Sequence, residues 1–383
     1  MIKKHAIAVG AAAFMALAAS PAQAFKTTIG NTEVTLGGFV KLDFIYSQND
    51  PGSNADLGRD FYVPGLIPVG NAQSSSRFDA HAKETRLIFA TNTDFNGYKV
   101  GSYIEADFIV NQGTPGADER ITNAYNPGLR RAFVTFGGFL AGQDWSTFQN
   151  LVALPETLDF VAWPSDGTPF MRQALLRYTT GGLDLSLENP QTTVTDGMGA
   201  RISEDENTLP DLHARYRFSV GSAQMSVAAL ARQLKTDGNG AETGYAVSVA
   251  GKIPLGKNDI RFTISQGDGA GRYLALNTVN DAQIAANGDL EAIEVINGFI
   301  AYRQVWTEKW RSTLALSAFS ADHDTALTGT GVTKSVQSAS VNLLYSPVPP
   351  LTVGGELRYA EREVENGDEG DLTRFQFSVK YSF

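Results

Sequence analysis

The chain has 383 residues, 43% of them hydrophobic, no cysteine, and a formal net charge of −10. The lack of cysteine excludes a disulfide framework, a thiolate metal site and thiol chemistry, and the acidic total argues against nucleic acid as a partner. Beyond the N-terminus no run approaches the ~18 apolar residues of a membrane helix, which excludes a helical membrane protein.

The N-terminus reads as an export signal. Lys3 and Lys4 are followed by an apolar stretch from Ala6 to Ala19 and by the small-x-small triplet Ala22-Gln23-Ala24, so residues 1–24 are expected to be cleaved before Phe25. The apolar stretch is shorter than the ~20 residues a spanning anchor needs, and Ser20-Pro21 ends it. Loss of Lys3 and Lys4 leaves 29 basic and 41 acidic residues, a charge of −12.

From there, period-two alternation predicts sixteen strands. They lie near 33–46, 77–93, 98–110, 129–136, 139–146, 172–179, 183–189, 211–219, 223–235, 243–253, 258–266, 292–304, 309–319, 334–346, 351–361 and 372–383. The connections alternate long and short. The short ones, such as Asp94-Phe95-Asn96-Gly97, Gly137-Gly138, Thr180-Gly181-Gly182 and Pro347 to Pro350, carry the glycine, Asn-Gly and proline of tight hairpins. The long ones are 47–76, 111–128, 147–171, 190–210, 236–242, 267–291, 320–333 and 362–371. Segregated loop lengths with an even strand number describe a sixteen-stranded antiparallel transmembrane β-barrel over 25–383. At sixteen strands the interior holds an aqueous channel unless a loop blocks it.

The last strand shows the pattern most clearly. Phe375, Phe377, Val379, Tyr381 and Phe383 alternate with Arg374, Gln376, Ser378, Lys380 and Ser382. Tyr381 and the terminal Phe383 look like the assembly signal read by the barrel-insertion machinery. Assigning each apolar face to lipid leaves Lys41, Arg86, Arg131, Arg177, His213, Arg215, Arg217, Arg232, Arg261, Arg303, Arg311, Arg358, Arg374 and Lys380 on the lumenal face. The acids expected there are Asp43, Glu84, Glu105, Asp107, Glu188 and Glu356. Rings of Arg or Lys favour anions in a pore; the bland alternative is that the arginines pair with the wall's own carboxylates.

Loop 147–171 carries Leu151, Leu154, Pro155, Phe160, Trp163, Pro164 and Phe170, an apolar set unsuited to water. Folded inward it would constrict the pore, with Trp163 and the loop's own charges Asp159 and Asp166 at the eyelet. Alternatively it packs at a subunit interface. The acidic run Glu361, Glu363, Glu365, Asp368, Glu369 and Asp371 reads as a solvated loop before it reads as a divalent-cation site beside lipopolysaccharide. His81, His213 and His323 are scattered and no serine stands in a hydrolase motif, so no catalytic site, metal or cofactor is expected.

Glu84-Thr85-Arg86-Leu87, Ile104 to Phe108, Leu129 to Val134, Leu140 to Phe148, Leu176-Arg177-Tyr178 and Glu188-Asn189-Pro190 together resemble the DcaP-like porin family, with the Ala-Gly-Gln-x-Trp-Ser block at 141–146 the most specific part. The resemblance spans about Phe25 to Phe383. It implies homotrimers of sixteen-stranded barrels in the outer membrane, in contact with lipid and lipopolysaccharide, passing small anionic solutes including dicarboxylic acids. Arg86, Arg131 and Arg177 would then guide anions, opposed by Glu105 and Asp107. A nonselective or cation-preferring porin, or a non-conducting structural or adhesin barrel, stands as the alternative.

Overall fold

The computed structural model describes residues 24–109, 122–159, 164–204 and 206–383. The expected signal sequence, apart from Ala24, and Trp163 of the expected constriction loop lie outside the described residues.

One antiparallel sheet carries the sixteen barrel strands. In chain order they are β1 (Thr32–Asp50), β2 in two arms (Ser75–His81 and Arg86–Phe95), β3 (Tyr98–Asp107), β4 (Gly128–Phe136), β5 (Phe139–Trp145), β6 (Arg172–Thr180), β7 (Leu183–Glu188) and β8 (Asp211–Val220). They continue with β9 (Ala223–Leu234), β10 (Glu242–Leu255), β11 (Asn258–Asp268), β12 (Glu294–Val305), β13 (Trp310–Asp322), β14 (Thr333–Val348), β15 (Leu351–Val364) and β16 (Glu369–Ser382). Each strand pairs with its sequence neighbour, and β16 pairs with β1 from Phe39↔Ser382 to Asp50↔Asp371, which closes the barrel. Closure leaves no open edge, the condition for a sheet to stand in lipid. Among the described residues no helix is long and apolar enough to cross a membrane; the strands do the crossing.

The outer wall follows the alternation. Val40, Leu42 and Phe44 on β1 and Phe375, Phe377 and Tyr381 on β16 are exposed, while Lys41, Asp43, Arg374, Gln376 and Ser378 between them are buried inside. Aromatics gather in two exposed bands. Phe95, Tyr98, Phe136, Phe139, Trp306, Trp310 and Tyr381 ring the short-turn end, and Tyr46, Phe78, Tyr245, Tyr359 and Phe375 ring the other. These are the interface girdles of an outer-membrane barrel. At the seam, Phe383 and Gly38 exchange both backbone hydrogen bonds at 3.1 Å. Gly38 has φ +142°, and a Cβ there would stand 2.1 Å from the Arg86 carbonyl oxygen, so only glycine fits.

The structure departs from simple alternation in four places. β1 runs to Asp50 and β16 starts at Glu369, so the last loop is a short turn and not the expected 362–371. Phe25–Ile29 folds back on β1 as an extra strand. β2 breaks between His81 and Arg86, where four residues oppose the three between Phe39 and Asp43. That bulge reverses the facing parity, so Asp79 and His81 point inward above the break and Glu84 and Arg86 below it. Finally, the long loops 189–210 and 269–293 are not irregular. Thr192–Thr195, Arg201–Glu204, Ala282–Ile284 and Leu290–Ala292 form a separate four-stranded sheet between them.

Several long loops pack on the inner wall. Phe61, Tyr62 and Ile67 of loop 51–74 are fully buried, with Tyr62 and Ile67 packed against Ala360 and Leu372. Phe148 of loop 146–171 and Tyr273, Leu274 and Val279 of loop 269–293 form one apolar cluster with inward residues Leu230, Val295, Phe319 and Val336. These inward apolar positions on β9 and β12–β14 are the loops' landing sites.

Candidate functional site

Two of the charge clusters on the inner wall keep partly accessible cations. On β2–β8, six arginines share four carboxylates. Arg86 stands 3.4 Å from Glu105 and 3.2 Å from Asp107. Arg130 donates to Glu105 at 2.7 Å and also to Asp107. Arg131 donates to Asp144 at 2.6 Å and lies 4.7 Å over the Tyr103 ring. Arg177 bonds the other Asp144 oxygen at 3.0 Å and the Thr147 hydroxyl at 2.8 Å. Arg215 and Arg217 both hold Asp184, at 3.0 and 2.9 Å. Arg172 makes no ion pair among the described residues; its guanidinium lies 5.0 Å from the Trp145 ring centre.

The second set lies across the lumen near the short-turn end. Asp259 bonds Arg261 at 2.6 Å and Arg303 at 2.7 Å. Glu156, from loop 146–171, bonds Arg311 at 2.6 Å and lies 3.9 Å from Arg303.

That loop reaches the wall at many points. Asn150 donates to Ser226 on β9, Arg261 on β11 donates to the Leu154 carbonyl, and Asn342 on β14 donates to the Glu156 carbonyl at 2.8 Å. The Leu158 N–H donates to Glu356 on β15 at 2.9 Å, and Lys41 on β1 donates to the Leu158 carbonyl. From its roots on β5 and β6 the loop therefore contacts lumenal residues on the far side of the barrel.

Several expected pore-lining residues sit elsewhere. Asp166 does not stand at an eyelet: it is fully buried, accepting hydrogen bonds from Ser317 and Ser338 on β13 and β14. Asp159 is buried too, accepting from the Tyr62 backbone N–H at 2.7 Å and lying 3.8 Å from Arg374. Both serve the anchoring of loops, because a carboxylate removed from water must gather donors. His213 is covered by Tyr273 of loop 269–293, 3.3 Å from its hydroxyl, and lies 3.6 Å from Glu188. Arg358 is buried 3.2 Å from Glu356 and 4.6 Å over the Tyr62 ring. Arg86 is likewise buried beneath the wall's surface. Arg131, Arg177, Arg215, Arg217 and Arg303 keep part of their side chains accessible.

Strand parity missed other members. Arg130 is the extra residue of a bulge, since Glu105 pairs with Arg131 while Ala106 pairs with Leu129, so both arginines of the doublet turn inward. The Arg130-Arg131 doublet opposite two alternating acids was the available signal. Asp144, Asp184 and Asp259 are lumenal acids absent from the set expected from parity, and they pair with Arg131, Arg177, Arg215, Arg217, Arg261 and Arg303. Among the described residues no group of three or more His, Asp or Glu side chains is placed to hold a metal ion.

The chain matches the sequence profile of the DcaP outer membrane protein family over residues 25–383. It belongs to that family. The crystal structure of the outer membrane channel DcaP of Acinetobacter baumannii superposes with a TM-score of 0.78 at 26% identity, over 94% of this chain and 99% of that one. Two more distant barrels share the fold. An anion-selective porin from Comamonas acidovorans aligns with a TM-score of 0.57 at 13% identity, over 92% of this chain and all of that one. Salmonella typhi OmpF, in a complex with daunomycin, gives 0.57 at 10% identity, over 94% of this chain and all of that one. No curated protein sequence matches the chain. A DcaP-family barrel of this architecture is a porin of the Gram-negative outer membrane.

Proposed function

We propose that this DcaP-family porin conducts small anions in preference to cations, with dicarboxylic acids among its favoured solutes. One observation carries the reading: on β4, β6 and β8 four arginines are more accessible than the acids they hold. The side chains of Arg131, Arg177, Arg215 and Arg217 keep 15, 11, 14 and 39% of their surface exposed. Asp144 and Asp184, which they hold, keep 5% or less. A permeating ion therefore comes nearer to these arginine side chains than to the carboxylates behind them. This layering also answers the charge balance, because neutralising an arginine from behind does not remove it from the surface.

Arginine offers a planar donor fork matched to a carboxylate. Asp184, held between Arg215 and Arg217, shows the wall binding a carboxylate with two arginines at once. The two alternate positions place their Cα atoms ~7 Å apart, so a solute with two carboxylates can engage neighbouring arginines before releasing the last. The loop carrying Glu156 crosses from this wall to the opposite one and constricts the pore. The signal at 1–24 directs export, Phe383 and Tyr381 guide insertion, and the barrels assemble as homotrimers bounded by lipid and lipopolysaccharide.

Planar-bilayer recordings under a salt gradient test the proposal. The wild-type reversal potential should lie on the chloride side. Arg215→Ala with Arg217→Ala should move it toward potassium, and a double variant with unchanged selectivity would remove this wall from the mechanism.

A further inference from the structure

Among the accessible lumenal charges described above, Glu156 is the exception. It is an acid, it keeps 23% of its side chain exposed, and it belongs to a loop instead of a strand. Its carboxylate accepts two bonds from Arg311 Nε, at 2.9 and 2.8 Å, and one from the terminal Arg311 nitrogen at 2.6 Å. Arg303 approaches to 3.9 Å. Lys380, which makes no ion pair among the described residues, has Glu156, Lys41, Arg311 and Glu84 as its charged neighbours. This is the geometry of a carboxylate ligand bound in a cationic pocket.

We infer that Arg311, Arg303 and Lys380 form an anion-binding site near the periplasmic end of the pore, and that Glu156 is its tethered occupant, displaced by a permeating dicarboxylate. The inference rests on the anion-conducting reading above and names a site for it on the opposite wall.

Displacement requires little of the protein. The backbone around Glu156 is held independently of its carboxylate: Arg261 bonds the Leu154 carbonyl, Asn342 bonds the Glu156 carbonyl, and Leu158 is fixed by Glu356 and Lys41. Only side-chain torsions of one glutamate must change, a rotation of the ps–ns class. The other acid at the site, Asp259, is buried with 2% of its side chain exposed and stays on Arg261 and Arg303. With Glu156 swung aside, Arg261, Arg303, Arg311 and Lys380, with Lys41 beside the last, outnumber the remaining acids Asp259 and Glu84. A dianion matches that excess better than a monoanion, so the tether discriminates: a solute must offer more charge than the glutamate it replaces. Returning Glu156 then helps to release the solute, which keeps residence short enough for conduction.

The test uses the full-length porin in planar bilayers, with succinate and acetate as probes on the short-turn side. Wild type, Glu156→Gln and Glu156→Gln with Arg311→Gln are compared, and heat-modifiable migration on gels verifies that each is folded. Glu156→Gln should raise the apparent affinity for succinate about tenfold, raise that for acetate less, and move the reversal potential further toward chloride. Adding Arg311→Gln should abolish the gain. A wild-type pore that prefers potassium would overturn the anion reading together with this site. An anion-selective wild type whose succinate affinity is unchanged or weaker in Glu156→Gln would overturn the tethered carboxylate alone.

Discussion

At the scale of single residues, the lumenal arginines divide into those that shape the wall and those that face the solute. Arg130 belongs to the first group. It is almost fully buried between Glu105 and Asp107, and its removal takes from these two buried acids a partner that Arg86, with Arg131 3.7 Å from Glu105, replaces only in part. Arg130→Ala should therefore destabilise the barrel by ~3 kcal/mol, the usual cost of leaving a buried charge short of its partner, read as a lower urea midpoint in detergent. Arg217→Ala, at an exposed site, should change stability little and selectivity more. An equal stability loss in both variants would contradict the division. Which arginines face inward was legible from parity in Arg86, Arg131, Arg177, Arg215 and Arg217. Which of them meet water was not. Alternation reports the direction of a side chain, whereas exposure depends on loops that arrive from distant sequence, as Tyr62 covers Arg358 and Tyr273 covers His213.

At the scale of elements, the strand ladder was legible because lipid on one side and water on the other impose a period of two on nearly every strand. The exceptions are places where one extra residue enters a strand. The break in β2 and the bulge at Arg130 each reverse the parity locally, and no composition signal marks the first of them. The small sheet joining loops 189–210 and 269–293 was also hidden, because its strands have three or four residues and the pairing that joins its two hairpins, Val194 with Ala282, links residues far apart in sequence. The closing seam gives two predictions. Gly38→Ala places a Cβ against the Arg86 carbonyl at a positive φ, so the strain alone should cost about 1–3 kcal/mol and lower the temperature at which the barrel unfolds on gels. Phe383→Ser should reduce the yield of folded barrel in the outer membrane more than Ser382→Ala does. Equal yields would mean that the terminal aromatic is not read during assembly.

At the scale of the whole molecule, an acidic chain builds a pore in which Arg131, Arg177, Arg215 and Arg217 are more accessible than the acids they hold. Net charge did not foretell this, because the acids lie partly in loops and partly behind the arginines that cover them. If the barrel assembles as a homotrimer, mass photometry in mild detergent should give three times the mature chain mass; monomers alone would reject that assembly. The central claim is ion preference, and the reversal potential of the wild-type channel in a tenfold potassium chloride gradient tests it most directly. A potential on the chloride side, shrinking when Arg215 and Arg217 are both replaced by alanine, is the predicted result. A potential on the potassium side, or at zero, would contradict the account.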